Sequence, residues 1–519
     1  MLKALKDFKE LSVLLLLHLL FATLIAQSDC LGIRFAHRYN RFTEGARKVS
    51  GLGRSLDSKD LWFEQRLDNF APEDTRTWLQ RYYVNDQHYR NDSQAPVFLM
   101  IGGEGEASEQ WMDEGAWIHY AKHFGALCIQ LEHRYYGKSH PTSNLSTSNL
   151  AYLSSEQALA DLSKFVIAMK VKYKLADTQK WIAFGGSYAG SLAAWAREKY
   201  PNLIYGAISS SGPLMAQVDF QQFYMLVKES LGSYNPHCVK AVRDSFVKLE
   251  NQLRDQNKLS DLDAQFKTCT PLKDSIQNPL DIANFFYKLA EHFASVVQYN
   301  PMLIPISEIC DVMVSNRNGT LVTRLSNINN RLLNKTDTTC LDYKYDKMIS
   351  DIKNVSWDSA NAIEDSRQWF YQTCTEFGFY QTSAKKLDLF SDRFDVDFFI
   401  RQCMDVFSNR MDSNYLDQVV GRTNKYYGAL KPETTHVLYV HGSIDPWRAL
   451  GLYVSANPKT PTIYIEDTSH CANMYEPSSR DPPQLKEARN KILNYLTRLL
   501  KGRAKHGLQS KTKSYFLNL

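Results

Sequence analysis

Beyond its first 26 residues the sequence has no apolar run that approaches membrane-spanning length, so no buried transmembrane helix is expected in the body of the chain. It also lacks a concentration of one charge. The formal net charge is +5, and Lys501, Arg503, Lys505, Lys511 and Lys513 in the acid-free tail account for all of it. The body is therefore near neutral, which excludes a basic field for nucleic acid or an anionic membrane. No metal-type CxxC pair accompanies the cysteines, which argues against a zinc site, and no internal repeat or low-complexity segment is visible. The glycine-rich run Gly102-Gly103-Glu104-Gly105 is not followed by the Lys-Ser/Thr of a phosphate-binding loop. What is abundant is apolar mass. The 519 residues are 44% hydrophobic and 12% aromatic, enough for two domains or for one domain with a large insertion.

The N-terminus is set apart from this body. A mainly apolar segment from Leu11 to Ala26 follows a charged start and ends at small residues, the pattern of a cleaved signal peptide over 1–28. A leader segment over 29–60 follows. Secretion agrees with five N-x-[ST] sequons, at Asn91, Asn144, Asn318, Asn334 and Asn354. It also agrees with cysteine usage. Cys238, Cys269, Cys310, Cys340, Cys374 and Cys403 cluster in mid-chain and are expected in disulfides, with their pairing open. Cys128, inside an apolar run, is expected as a buried thiol. The predicted location is the secretory pathway, extracellular or lysosomal.

From Leu61 to Gly212, short apolar runs alternate with helical patterns. Strands are expected at Arg76–Val84, Val97–Ile101, Ala126–Glu132, Trp181–Phe184 and Tyr205–Ser210. Helices are expected at Trp117–Phe124, Ser155–Tyr173 and after Ser187. That alternation implies a mainly parallel sheet covered on both faces. Between 213 and 430 the chain is helix-patterned and cysteine-bearing. Strand character returns at His436–Val440 and Thr462–Ile465, and a closing helix runs from Gln484 to Lys501. The simplest account is an α/β-hydrolase fold, made of 61–212 and 431–500, with a large helical cap inserted over 213–430 and a basic tail over 501–519.

Ser187 stands at the apex of a strand–turn–helix, in Gly185-Gly186-Ser187-Tyr188-Ala189. A serine on such an elbow needs small neighbours and presents its hydroxyl to a cleft. The hydroxyl is a poor nucleophile unless a histidine takes its proton and a carboxylate orients that histidine. Asp445, on a loop past one late strand, and His470, past the next, complete the order Ser–Asp–His of α/β-hydrolases. Other candidates fit less well. His441 belongs to a strand end, Asp467 is too close in sequence to His470, and His133 and Asp161 would break the order. For the oxyanion, the Tyr188 amide follows the nucleophile, and Gly103 in the loop after Ile101 suits the second donor.

The six motifs Gly102–Gly105, Glu132–Gly137, Gly185–Gly190, Trp369–Glu376, Gly442–Trp447 and Ser469–Cys471, in this order, resemble the serine exopeptidase family of lysosomal prolyl carboxypeptidase, dipeptidyl peptidase II and thymus-specific serine protease. The likeness spans roughly 61–500 and is closest to the thymus-specific branch. It implies a serine-type peptidase, of prolyl carboxypeptidase or dipeptidyl peptidase type, that cuts next to proline under a helical cap through an acyl-enzyme. It also implies catalytic Ser187, Asp445 and His470, with Tyr188 and Trp447 lining a proline pocket. Glu376, in the cap motif, is a candidate contact for a substrate amine, with support of the cap fold as the alternative reading. Peptide substrates are the expected partners, with no nucleic acid, no membrane span and no cofactor or metal; a homodimer is left open. Chain-end polarity, amino or carboxyl, is open as well. The rival readings are a carboxylesterase or lipase on the same fold, and an inactive hydrolase-fold binding protein.

Overall fold

The structure is a computed structural model that describes residues 60–360, 365–383 and 389–501. The signal peptide, the leader before Asp60 and the tail after Lys501 lie outside the described residues. Short runs rich in β-branched and aromatic residues form the strands β1 (Leu61–Arg66), β2 (Thr77–Asn85), β3 (Val97–Ile101), β4 (Leu127–Leu131), β5 (Trp181–Gly186), β6 (Gly206–Ser210), β7 (Gln217–Asp219), β8 (Gly378–Tyr380), β9 (Val437–Gly442) and β10 (Thr462–Ile465). Eight of them make one sheet in the order β1-β2-β4-β3-β5-β6-β9-β10. Strand β2 runs against both its neighbours, and the other neighbours pair in parallel. This is the α/β-hydrolase sheet.

The strand period of two divides the core between the two faces. On β3, Val97, Leu99 and Ile101 join one buried cluster, while Phe98 and Met100 join the other. Helices α1 (Ala116–Phe124) and, at the far end of the chain, Pro483–Lys501 cover the second face. Helices α2 (Ser155–Lys172) and α3 (Tyr188–Lys199) cover the first.

Between β6 and β9 the chain leaves the sheet. Its main helices are α4 (Gln222–Tyr234), α5 (Pro236–Leu253), α6 (Pro279–Gln298), α7 (Leu321–Lys335), α8 (Ser366–Gln372) and α9 (Ser413–Tyr427). Asparagine or threonine side chains cap the starts of α5, α6 and α7, as orphan N–H groups require. The apolar faces of these helices continue the core of the first sheet face. Three disulfides, Cys238–Cys310, Cys269–Cys340 and Cys374–Cys403, tie the insertion together. Cys128 and Cys471 are buried free thiols.

Two strand features depart from the expected pattern. The sheet gains an edge strand, β1, where one face is solvated and Glu64 and Gln65 obscure the apolar alternation. A small two-stranded sheet, β7 with β8, pairs the start of the insertion in parallel with a segment later in it. Three-residue strands carry too little periodicity to stand out in a sequence.

Candidate active site

Strand β5 delivers Ser187, the candidate nucleophile. Ser187 follows Gly186 with φ 56° and ψ −132°, a region costly for a residue with a Cβ. Its N–H donates to the Ser210 carbonyl at the end of β6, 2.9 Å away, which ties the turn to the sheet. The elbow requires a bare Gly185, because a Cβ there would collide with the Ala189 carbonyl. Tyr188 then starts α3.

The late strands deliver the other two groups. Past β9, Asp445 is fully buried and its Oδ1 accepts from His470 Nδ1 at 2.9 Å and from the Trp447 N–H at 3.0 Å. His470 lies past β10. With Nδ1–H committed to Asp445, Nε2 of the neutral ring is left as the acceptor. Burial disfavours the charged form of each, but their mutual attraction wins. The His470 imidazole is held well above its ordinary pKa and the Asp445 carboxyl below its own. An imidazolium formed here is thus stabilised in place.

Ser187, Tyr188, Gly103, Trp447 and His470 line one cavity of about 940 Å³ between sheet and insertion. Gly103 backs onto Ala189, where an added Cβ would sit 3.2 Å from the alanine side chain. Its loop therefore lies against the elbow. Glu132 holds that loop: its buried carboxylate accepts from the Ala107 N–H at 3.0 Å and from Ser139 Oγ at 2.6 Å and pairs with Arg81, which also reaches Glu106 at 2.9 Å.

The insertion reaches into the catalytic loops. The Gln298 carbonyl, at the end of α6, accepts the His470 N–H at 3.1 Å, and the Gln298 side-chain oxygen accepts the Trp447 indole N–H at 3.1 Å. Ser469 Oγ donates to the Asn300 carbonyl at 2.6 Å. Trp447 stands against Phe220, Phe223 and Phe379 with ring centroids 5.5–5.6 Å apart, an apolar recess beside His470. Glu291 of α6 lines the cavity as well, and burial pushes its carboxyl up to about 7.

Two expected substrate contacts are placed differently. Glu376 is buried outside the cavity lining and accepts from the Ser155 N–H and Oγ and from Gln372. It caps the start of α2, where a carboxylate is favoured by orphan N–H groups and the helix dipole, so the structure corrects its assignment as an amine contact. The Tyr188 ring is almost wholly buried, with its hydroxyl shared between His133 and Gln372. Its backbone, more than its ring, is offered to the cavity.

The rejected candidates sit apart. Asp161 is locked to Arg134 at 2.6 Å. His133 is buried with its pKa pushed down to about 3 by desolvation. His441 is fully enclosed behind Asp445, with desolvation pushing its pKa down to about 4. Asp467 is exposed. Among the sequons, Asn91, Asn334 and Asn354 are exposed, while Asn144 and Asn318 are half-buried.

One cavity-lining acid stands outside the expected site residues. Glu104 lies in the loop that carries Gly103 and lines the same cavity; burial raises the pKa of its carboxyl, with the His470 charge and the Ser187 side chain pulling the other way. Its signal in the sequence is an acid between glycines directly after a buried strand.

The chain matches the family described as serine carboxypeptidase S28 over residues 65–492. It is 35% identical over 463 residues to the thymus-specific serine protease of Mus musculus, covering 87% of this chain and 89% of that protein. Against the human protein of the same name identity is 33% over 486 residues, covering 90% and 92%. Against the lysosomal Pro-X carboxypeptidase of Mus musculus it is 28% over 437 residues, covering 81% and 85%.

Proposed function

From the premise that this chain belongs to the serine carboxypeptidase S28 family, and is therefore a serine-type peptidase, we propose that it is a secretory-pathway exopeptidase, extracellular or lysosomal, that cleaves peptides next to proline through an acyl-enzyme on Ser187. The observation that carries this reading is the strained Ser187 elbow sharing a cavity with His470, itself held by Asp445 at 2.9 Å.

The chemistry follows from the parts. Ser187 Oγ attacks the scissile carbonyl while His470 Nε2 takes its proton. The oxyanion is received by the N–H groups of Tyr188 and Gly103. The imidazolium, stabilised by Asp445, gives its proton to the departing amine, and water then repeats the sequence to free the acyl fragment. The recess of Trp447, Phe223 and Phe379 offers flat apolar walls to a proline ring. The insertion overhanging the cavity favours a chain end over the middle of a chain. Three disulfides support folding in an oxidising compartment, and among the described residues no helix is long and apolar enough to cross a membrane.

The test is labelling of the purified glycoprotein by a fluorophosphonate, beside hydrolysis of Xaa-Pro reporters and of amine-blocked Xaa-Pro-Xaa peptides at acidic and neutral pH. Labelling and turnover, both lost in Ser187→Ala, are expected. Labelling with no Ser187-dependent turnover of any proline peptide would sink the proline-specific reading.

A further inference from the structure

The chain is held differently on the two sides of His470. On its N-terminal side, the Ser469 hydroxyl and the His470 N–H are tied to the insertion. On its C-terminal side, residues 471–476 run along the cavity and past the Ser187 elbow. A Cβ on Gly186, the residue before Ser187, would meet Met474 Sδ at 2.5 Å and Cys471 Sγ at 2.9 Å, so this segment lies directly against the elbow. Its near end is pinned to the sheet: the Cys471 N–H donates to Ser211 Oγ at 2.9 Å, and Asn473 Nδ2 donates to Ser210 Oγ at 2.8 Å.

Two side chains moor the rest of the segment. Arg489, in the closing helix Pro483–Lys501, is buried and donates to the carbonyls of Ala472 and Asn473 at 3.2 Å and of Tyr475 at 3.0 Å, with Asp481 as its ion partner. A guanidinium suits this task because its planar fork presents several donors in fixed directions. Glu476 works from the other side. Its Oε2 accepts the Gly115 N–H at 2.8 Å, its Oε1 pairs with His119 Nε2 at 2.6 Å, and the nearby Met474 carbonyl accepts the Ala116 N–H at 2.9 Å. Gly115 has no side chain to cap α1, and a carboxylate is favoured there by orphan N–H groups and the helix dipole. The His119 contact is partly exposed and adds little stability, so the larger consequence of Glu476 lies in where it holds the segment.

We propose that Arg489 and Glu476 are positioning residues for His470: by anchoring residues 471–476 to the closing helix and to α1, they hold the base in register with the Ser187 hydroxyl. The inference rests on the roles given to Ser187 and His470 above and goes beyond them by naming what keeps the two aligned. Neither side chain has to touch the reacting atoms. A misplacement of about 1 Å costs about 100-fold in rate, so releasing either mooring is read in proton transfer.

The experiment compares wild type with Glu476→Ala, Glu476→Gln and Arg489→Lys, each held well below its melting temperature. The first readout is the rate of fluorophosphonate labelling at Ser187, which reports activation of the hydroxyl whichever peptide is cut. Labelling is expected about tenfold slower in Glu476→Ala and about 10- to 100-fold slower in Arg489→Lys, whose compact ammonium cannot reproduce the fork. Glu476→Gln keeps an acceptor for the Gly115 N–H and should recover to within about threefold of wild type. With any peptide that is turned over, kcat should fall while KM holds. The second readout is the low-field proton resonance of the His470–Asp445 bond, identified by its loss in His470→Gln, which should shift or broaden in Glu476→Ala. An unchanged labelling rate in either folded variant, Glu476→Ala or Arg489→Lys, overturns the proposal for that residue. An effect of Glu476→Ala confined to KM also overturns it, since Glu476 would then be a substrate contact. Should Arg489→Lys fail to fold, the two Glu476 variants carry the test. A shifted resonance in Glu476→Ala, with no labelling of wild type, would instead count against Ser187 as the nucleophile and leave the positioning role standing.

Discussion

The two halves of this molecule do different work with different physics. In the sheet half, strands buried on both faces fix the ends of β5, β9 and β10, and catalytic groups placed on those ends inherit their rigidity. In the helical insertion, amphipathic helices are bound by disulfides and furnish walls, charge and second contacts to the same loops. Chemistry sits where backbone position is over-determined, and selectivity sits where side chains can be exchanged without moving the sheet.

The largest effect that would sharpen this contrast is on the sheet side. Asp445→Asn keeps the shape but removes the charge that holds His470 in its tautomer, and should lower kcat about 10⁴-fold. It should also move the acid limb of the pH–rate profile downward, because the Asp445 charge is the strongest upward pull on the imidazole. A loss of less than tenfold would show that another group orients the base.

Next comes the insertion. Replacing both Cys238 and Cys310 by serine opens a loop of 72 residues and should cost about 4 kcal/mol. Hydrogen exchange should rise in α5 and in Ile306–Val314 before it rises in the strands. Equal loss of protection in sheet and insertion would break the comparison, since the two halves would then unfold as one.

The smallest effect concerns Glu291. Its folded-state pKa is raised from 4.5 to about 7, so the unfolded chain releases this proton first as pH climbs. Stability from this group is present below about pH 4.5 and falls between there and pH 7, by about 3 kcal/mol before relaxation is allowed for. Thermal melts of wild type should therefore weaken over that window more than those of Glu291→Gln. Parallel pH dependences would place the Glu291 proton elsewhere.

These differences track what the sequence made readable. Ser187, Asp445 and His470 were legible because each lies within a few residues of a strand end, where local pattern and turn chemistry coincide. The three disulfides were legible as a group but not as pairs, since pairing depends on helix packing. Gln298 was invisible because its contacts to Trp447 and His470 cross about 150 and 170 residues, and nothing local marks such a bond. Glu376 is ambiguous for the same reason: its partner Ser155 lies 221 residues away, and a carboxylate in a cap motif reads either as a ligand contact or as support for the fold until that helix start is seen.

The bond from the Gln298 carbonyl to the His470 N–H has a consequence for the life history of the protein. The base is seated by a residue of the insertion, so a nascent chain with its helices still unassembled carries the nucleophile without a finished proton acceptor. If Ser187 and His470 act as proposed, such a chain is chemically silent. Competence to cut peptides would then arrive together with completed, oxidised folding, which spares the compartment of synthesis from an enzyme awake too early.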